Sequence, residues 1–220
     1  MTDRHINFRG YQVCAALGGR LSQARLVMKP PYGTLEYLRD GTWRPICLKF
    51  FPGDRLYVRE AHSLHNAHGT ERHDGKRWGP WGGLPTAVSP DGEQIAYFRE
   101  GFDRCAPRWR PSIHMPRWAS RLTLTVTDVR VQRLQEISDE DAWAEGCKQG
   151  DPWDSGDGYF PAEEPSPDGK GIIGWDCARD WYADLWDHLH GPSAWAANPW
   201  VVALTFTVQH GNIDQLAVRP

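Results

Sequence analysis

LTLTVTDVRV, residues 122–131, is the clearest strand pattern in the chain. Its leucines and Val126 alternate with three threonines, which predicts a strand with one apolar and one polar face. The next apolar residue is Val129, a gap of three instead of two, and we interpret this shift as a β-bulge near Asp128. Because a bulge bends its strand, the pattern favours a small curved sheet or barrel.

Helices and further strands are predicted on both sides of this stretch. The predicted elements are a helix at Tyr11–Leu17, a strand at Arg55–Glu60, a short helix after Ser138, a helix at Ala178–His190 and a strand at Trp200–Val208. Ser138 with Asp141 three residues later is typical of a helix N-cap. Helices that do not alternate strictly with strands favour an α+β fold on a small mixed β-barrel over a doubly wound parallel sheet.

Two stretches rich in glycine and proline interrupt this pattern. Residues 66–93 hold six Gly and three Pro, and residues 150–175 hold six Gly, four Pro and six acidic residues. Such composition predicts two long surface loops inserted in a single domain that covers residues 1–220.

Composition excludes several classes of protein. Hydrophobic residues make up 40% of the chain and charged residues 24%, close to the averages for a globular protein. The sequence has neither an apolar run of membrane-spanning length nor the apolar core of a signal peptide, so we expect a soluble cytoplasmic protein. The net charge of -3 excludes a uniformly basic nucleic-acid coat but allows a local basic groove. Five cysteines without a CxxC pair favour buried thiols over disulfides or a zinc knuckle.

The segment from Arg104 to Arg121 carries the strongest functional pattern. It contains five arginines, two tryptophans and one histidine, with no acidic residue. Guanidinium groups pair with phosphates and indoles stack on bases, so the composition predicts a groove for nucleic acid or nucleotide. Here Arg110 and Arg117 flank Ser112 and His114. The alternative is a structural loop whose arginines pair with the acidic residues of the second predicted loop.

Four histidines, His62, His65, His68 and His73, lie at short intervals and raise the possibility of a zinc site. No cysteine or carboxylate completes a known ligand spacing, so we interpret the stretch as a solvated loop and predict no metal. The sequence also lacks a GxSxG elbow and a phosphate-binding P-loop.

Glu145 is the most interesting isolated carboxylate. It lies two residues after Trp143 in the predicted short helix, and an aromatic neighbour can raise the pKa of a carboxyl toward that of a general acid or base. The alternative is an ordinary exposed helix glutamate.

Four segments together resemble the ASCH domain, a PUA-like β-barrel family, and in particular its larger phage and prophage members. They are Ile6–Pro30 (INFRGYQVCAALGGRLSQARLVMKP), Gly53–Glu60 (GDRLYVRE), Trp109–Gly146 (WRPSIHMPRWASRLTLTVTDVRVQRLQEISDEDAWAEG) and Leu185–Phe206 (LWDHLHGPSAWAANPWVVALTF). The resemblance implies a cleft beside a barrel that binds RNA or modified nucleosides. Some members of the family are amidohydrolases that deacylate N4-acetylcytidine, and at least one type is a ribonuclease.

The amidohydrolase motif of the family, GRKTxTxR, is only partly present. Its Lys and second Thr act with a Glu on a later helix. The corresponding run here is Gly19–Arg25, one residue shorter than the motif; aligned at Gly19, Leu21 stands at the Lys position and Ala24 at the Thr position, while Glu145 falls at the position of the Glu. Leucine transfers no proton and alanine has no hydroxyl, so the family's route is not available to these side chains.

Two functions therefore remain. The first is a module that binds RNA, single-stranded nucleic acid or a modified nucleoside, acting as a monomer without a cofactor. Its predicted ligand-binding residues are Arg20, Arg25, Arg59, Glu60, Trp109, Arg110, Ser112, Arg117 and Trp118, with Glu145 reading a base edge beside Arg25. The second is a hydrolase: either an amidohydrolase that uses Glu145 with Ser22 or His114, or a ribonuclease that uses His114 and arginines. A phage origin would place either protein in the cytoplasm of a bacterial host.

Overall fold

The computed structural model describes residues 3–31, 34–68, 79–105, 107–150, 162–165 and 172–216. Over these residues the fold is mixed α+β and consists mostly of strands, as the sequence predicts at this level. The strands are β1 Asp3–Asn7, β2 Gln23–Val27, β3 Leu35–Tyr37, β4 Trp43–Pro45, β5 Arg55–Arg59, β6 His62–Asn66, β7 Thr86–Val88, β8 Gln94–Phe98, β9 Leu122–Arg133, β10 Ala162–Pro165, β11 Ile172–Trp175 and β12 Trp200–His210. The helices are α1 Gly10–Leu17, α2 Asp139–Ala144 and α3 Ala178–His190.

The largest sheet has five strands in the order β1-β5-β9-β12-β2. β1 pairs in parallel with β5, β5 pairs antiparallel with β9, and β12 pairs antiparallel with β2. Among the described residues this sheet is open, because β1 and β2 are its two edges. The closed barrel expected from the sequence is therefore not seen in the described part of the chain.

Strong periodicity correctly predicted the long elements. The helix predicted at Ala178–His190 is confirmed at both ends, and Trp181, Tyr182 and Trp186 on its apolar face are buried. β9 continues as a single strand of 12 residues, and the bulge near Asp128 stays a prediction. None of the described helices is long and apolar enough to span a membrane.

The two predicted loops contain regular structure that their composition concealed. In the first, Thr86–Val88 forms β7, which joins the three-stranded sheet β6-β8-β7. In the second, β10 and β11 pair antiparallel, with Glu163 fully buried. Its neighbour Glu164 accepts a hydrogen bond from Trp181 Nε1 at 2.8 Å, which ties the pair of strands to α3. Residues 69–78, 151–161 and 166–171 of these loops lie outside the described part.

The residue contacts divide the chain into two compact units, each assembled from separate segments, and the single domain predicted from the sequence stays a prediction. Unit 1 comprises Met1–Leu17, Gly53–Thr125 and Thr207–Pro220, and unit 2 comprises Gly18–Pro52 and Val126–Phe206. In unit 1, buried Phe98 and Met115 belong to one apolar cluster. In unit 2, Leu134, Trp181 and Trp186 belong to another. Each unit thus has its own apolar core.

The cysteines are less buried than expected. Cys14 and Cys105 are exposed, Cys47 and Cys177 are half-buried, and Cys147 is buried. The buried-thiol prediction is therefore correct for Cys147 and wrong for the two exposed thiols. Burial is also the main reason that the pKa of the Cys147 thiol is raised to about 12, which keeps that thiol protonated.

Candidate functional site

In unit 2, an ion pair joins Arg25 on β2 to Glu145, the residue that follows α2. The distance from Arg25 Nη1 to Glu145 Oε1 is 2.7 Å, and the two side chains are 0% and 1% exposed. Arg25 Nη2 lies 2.7 Å from Asp141 Oδ2, so a single guanidinium bridges two carboxylates. The sequence predicted that Glu145 lies close to Arg25, and this proximity is confirmed.

Two further side chains, one buried and one partly exposed, complete this network. Gln23 Nε2 donates a hydrogen bond to Asp141 Oδ1 at 2.7 Å, and Arg130 Nη2 lies 3.0 Å from the same oxygen. The network of Arg25, Arg130, Asp141 and Glu145 thus contains two cations and two potential anions. This balance makes the burial of Arg25 and Glu145 tolerable, while Arg130, whose side chain is 41% exposed, reaches the network from the surface.

Local backbone structure explains why these residues meet. Ser138 is the N-cap of α2, and its side-chain oxygen accepts a hydrogen bond from Asp141 N, as the sequence predicts. We expected Glu145 to lie within the helix. The helix instead ends at Ala144, and Glu145 is its C-cap. Ser22 N donates to Ala144 O at 2.8 Å, which holds the end of α2 beside the start of β2.

Burial and charge shift the pKa values of the two carboxyls in opposite directions. Burial dominates at Glu145 and raises its pKa to about 7, although the charge and hydrogen bond of Arg25 oppose the shift. At Asp141 burial also acts to raise the pKa, but hydrogen bonds from Arg130 and Gln23 and the charges of both arginines outweigh it. Asp141 therefore remains ionised near neutral pH, whereas Glu145 titrates there.

The motif positions around this network are mostly closed to solvent. Leu21 and Ala24 are 2% and 0% exposed, whereas Ser22 and Arg20 are exposed. The Glu145 carboxylate is buried, so the open cleft that we expected beside it is not seen among the described residues. In this conformation Arg25 and Glu145 bind each other and have no exposed surface with which to hold a phosphate or a base.

In unit 1, carboxylates distant in sequence neutralise two arginines of the 104–121 segment. Arg117 binds Asp214 and Asp3, each with a shortest contact of 2.6 Å, and hydrogen bonding to Asp214 is the main reason that the pKa of Arg117 is raised. Arg121 binds both carboxylate oxygens of Glu60, at 2.9 and 2.8 Å. The alternative prediction, that arginines of this segment pair with carboxylates, is correct for Arg117 and Arg121. Their partners, however, do not come from residues 150–175 as that prediction stated.

Other predicted ligand residues have mixed surroundings. Half-buried Arg59 donates hydrogen bonds to the Tyr57 hydroxyl and to Ile113 O. Trp118 packs against the apolar cluster of unit 1. Ser112 is half-buried and His114 is exposed, both in one 3-10 turn. Glu60 is 1% exposed, so burial raises its pKa, and its carboxylate faces Arg121 instead of solvent.

Trp109 belongs to a group of five neighbouring rings, here called the aromatic cluster: His65, Trp81, Tyr97, Phe102 and Trp109. Trp109 lies edge-to-face on Phe102 with ring centroids 5.1 Å apart, and Phe102 lies 5.2 Å from Trp81 in the same way. The Tyr97 hydroxyl donates to Trp81 O at 2.8 Å and fixes that loop on β8. All members but Tyr97 are half-buried, so each retains some surface for a ligand.

The histidine pattern has a structural explanation in unit 1. His62 and His65 lie on β6, where His62 is fully buried and His65 packs edge-to-face on Trp81. Burial lowers the pKa of both imidazoles and keeps them neutral near pH 7. The prediction of a solvated loop is therefore wrong for His62 and His65, whereas His68 is exposed and His73 lies outside the described residues. Within the described ranges, no group of three or more His, Cys, Asp or Glu side chains could hold a metal ion.

Comparisons with protein-family models, with curated proteins and with solved structures found no match to the chain. The resemblance to the ASCH family stays a prediction from the quoted motifs.

Sequence reasoning missed Gln23, Asp141 and Arg130 as members of the network. Asp141 was recognised only by its spacing from Ser138, and no local pattern connects it with a strand more than 100 residues earlier.

Proposed function

We propose that the chain is a module that binds single-stranded nucleic acid, of the PUA-like ASCH type suggested by its motifs. The binding surface in this proposal is the aromatic cluster together with Arg108 and Arg110. One observation carries it: half-buried rings adjoin exposed arginines that no carboxylate among the described residues neutralises.

The rings supply sequence-tolerant affinity. Every base has an aromatic face, and a base stacked on a protein ring contributes about 1–3 kcal/mol. Trp81, Phe102 and Trp109 are all half-buried and follow one another at ring spacings near 5 Å. Three such rings suit consecutive bases of a single strand, whose bases are not engaged in pairing.

The position of Arg110 is fixed by its backbone. Arg110 N donates to His62 O at 2.8 Å and His62 N donates to Arg110 O at 3.2 Å, which ties this residue to β6. Burial is the main cause of the lowered pKa of His65, and the charge of Arg110 is the second cause. The guanidinium of Arg110 therefore lies close enough to act on the aromatic cluster. A phosphate held by Arg110 would therefore lie beside bases stacked on the neighbouring rings. Arg117 and Arg121 are not included, because carboxylates already bind them.

Replacing Arg108 and Arg110 together with alanine should weaken binding of a labelled single-stranded oligonucleotide. Each lost phosphate contact should also reduce the slope of log affinity against log salt by ~0.7. Fluorescence anisotropy over a salt series, with RNA and DNA of one pyrimidine sequence, measures both quantities. Trp109→Leu should weaken binding by about 1–3 kcal/mol and leave the salt slope unchanged, because it removes stacking and no charge.

The matched control is the double change Arg39→Ala with Arg44→Ala. It removes two positive charges from the β3–β4 segment in unit 2 and so reproduces the change in net charge. Equal losses of affinity in the two double variants would attribute binding to net charge and refute the proposed surface. Unchanged affinity and slope in the Arg108 and Arg110 variant would also refute it.

A hydrolase is the second candidate function, because a carboxyl with a pKa of about 7 can act as an acid or a base near neutral pH. The surroundings of Glu145 argue against it. Leu21 and Ala24 stand at the reactive positions of the family motif, and Glu145 is closed to solvent.

We therefore expect no release of acetate from N4-acetylcytidine by the unmodified protein. A coupled assay for acetate, with a known deacylase as positive control, measures this. Leu21→Lys with Ala24→Thr is the variant that restores the family motif. Turnover by the unmodified protein would show that another residue has taken over the chemistry and would favour the hydrolase.

A further inference from the structure

Unit 2 contains a cavity of about 490 Å³ beside α3 that the proposed function does not use. Half-buried Trp175 and Leu185 contribute apolar walls, whereas Trp181, which also belongs to the lining, is only 1% exposed. The lining residues come from β10, β11, α3 and the turn after α3: Glu164, Ile173, Trp175, Trp181, Asp184, Leu185, Asp187, His188, Pro192 and Ser193. Its size is in the range of small-molecule sites in proteins.

The charged lining of this cavity has one sign. Glu164, Asp184 and Asp187 are carboxylates, and no arginine or lysine of the described residues lines the space. His188 is exposed and adds a positive charge only when protonated. The cavity therefore disfavours anions, whereas the half-buried indole of Trp175 and three carboxylates favour a cation.

Hydrogen bonds hold two of these carboxylates in place. Glu164 Oε1 accepts a bond from Trp181 Nε1 at 2.8 Å, and Trp181 itself is 1% exposed and rigidly packed. Asp187 Oδ1 accepts a bond from Trp195 N at 2.6 Å. Asp184 is exposed, and its side chain has no hydrogen bond or ion pair with another described residue. This carboxylate remains available to a ligand.

We propose that this cavity binds a small organic cation, an ammonium group that carries alkyl substituents. The negative face of an indole attracts a cation, while its ring area also buries methyl groups. An inorganic metal ion would instead require a cage of converging oxygens, and no such group is found in the described residues. The proposal is independent of nucleic-acid binding, which lies on unit 1.

The test compares choline with 3,3-dimethylbutan-1-ol, which has the same shape but no charge. Isothermal titration calorimetry with the full chain should show saturable binding of choline. The neutral alcohol should bind at least about fivefold more weakly, because it lacks the attraction to the rings and carboxylates. A third titration uses the N-acetyl amide of trimethyllysine. Tighter binding of this compound than of choline would indicate a methylated lysine side chain as the ligand, and tighter binding of choline would indicate a free ammonium compound.

Two variants test whether choline binds in this cavity. Asp184→Asn and Trp175→Leu should each weaken choline binding by about threefold or more, since one removes charge and the other an aromatic face. Glu140→Gln is the matched control: it removes an exposed carboxylate on α2 that does not line the cavity, and it should leave binding unchanged. Circular dichroism confirms that each variant is folded.

Absence of saturable choline binding would overturn the proposal, and so would equal binding of the alcohol. It would also be overturned if Glu140→Gln weakened binding as much as Asp184→Asn, since the effect would then come from net charge alone. Tighter choline binding than alcohol binding, lost in both cavity variants and kept in the control, supports it.

Discussion

Arg25→Leu should lower the free energy of unfolding, and the loss should rise toward about 3–5 kcal/mol well above pH 7, the usual cost of removing one partner from a buried ion pair. The variant leaves the carboxylate of Glu145, 1% exposed in the native protein, without the cation that lies 2.7 Å away. Asp141 keeps Arg130 and Gln23 as partners, so the loss comes mainly from Glu145. Urea unfolding followed by circular dichroism measures the difference.

The size of this loss should depend on pH in a defined direction. The pKa of Glu145 is already raised from 4.5 to about 7, chiefly by burial, and loss of Arg25 raises it further. A carboxyl whose pKa is higher in the folded than in the unfolded state stabilises the protein at pH values below its unfolded-state pKa. This stabilisation is lost as the pH rises through its folded-state pKa. The deficit of the variant should therefore be smallest near pH 4.5 and largest above pH 7.

Two further variants separate charge from packing. Arg25→Lys keeps a cation and should lose less stability than Arg25→Leu. Arg25→Leu combined with Glu145→Leu removes both charges and should recover much of the loss, since apolar replacements of a buried pair are often tolerated. A loss of the same size at every pH, with no recovery in the double variant, would show that the ion pair contributes only packing.

The long periodic elements were predictable because burial of one face imposes a regular pattern on them. α3 shows the apolar spacing expected of a half-buried helix, and β9 shows the alternation of a half-buried strand. The strands β7, β10 and β11 have three or four residues each, too few for a period to be evident among glycines and prolines. Their pairing depends on contacts with other elements, which composition does not reveal.

The candidate site was predictable only in part, for a related reason. Glu145 and Arg25 were connected through the family motifs, although 120 residues separate them. The absence of acidic residues between Arg104 and Arg121 predicted a phosphate groove. Arg117 nevertheless has a partner 97 residues away in sequence, and local charge counting cannot detect neutralisation at that distance. Arg104 is exposed and pairs with Asp103, whereas Arg108 and Arg110 are exposed and pair with no carboxylate among the described residues, which is why the proposed surface uses them.

The two neutralised arginines of unit 1 should respond very differently to replacement by methionine, which keeps the aliphatic stem. Arg121 is 16% exposed and binds Glu60, which is 1% exposed. Its guanidinium also lies 4.1 Å from the centre of the Phe98 ring. Arg121→Met leaves a carboxylate buried without a cation and should cost about 3–5 kcal/mol in the free energy of unfolding. Because burial has already raised the pKa of Glu60, this cost should grow as pH rises.

Arg117→Met should cost only about 0–1 kcal/mol, because its side chain is 35% exposed and its partner Asp214 is 55% exposed. Water can solvate the carboxylates of Asp214 and Asp3 once the guanidinium is gone, whereas it cannot reach Glu60. Urea unfolding at low and high salt measures both variants, and added salt should reduce the smaller effect more than the larger one. Equal costs would show that burial does not govern the strength of these pairs. Weaker oligonucleotide binding by Arg117→Met, with a reduced salt slope, would return Arg117 to the nucleic-acid surface despite its two carboxylate partners.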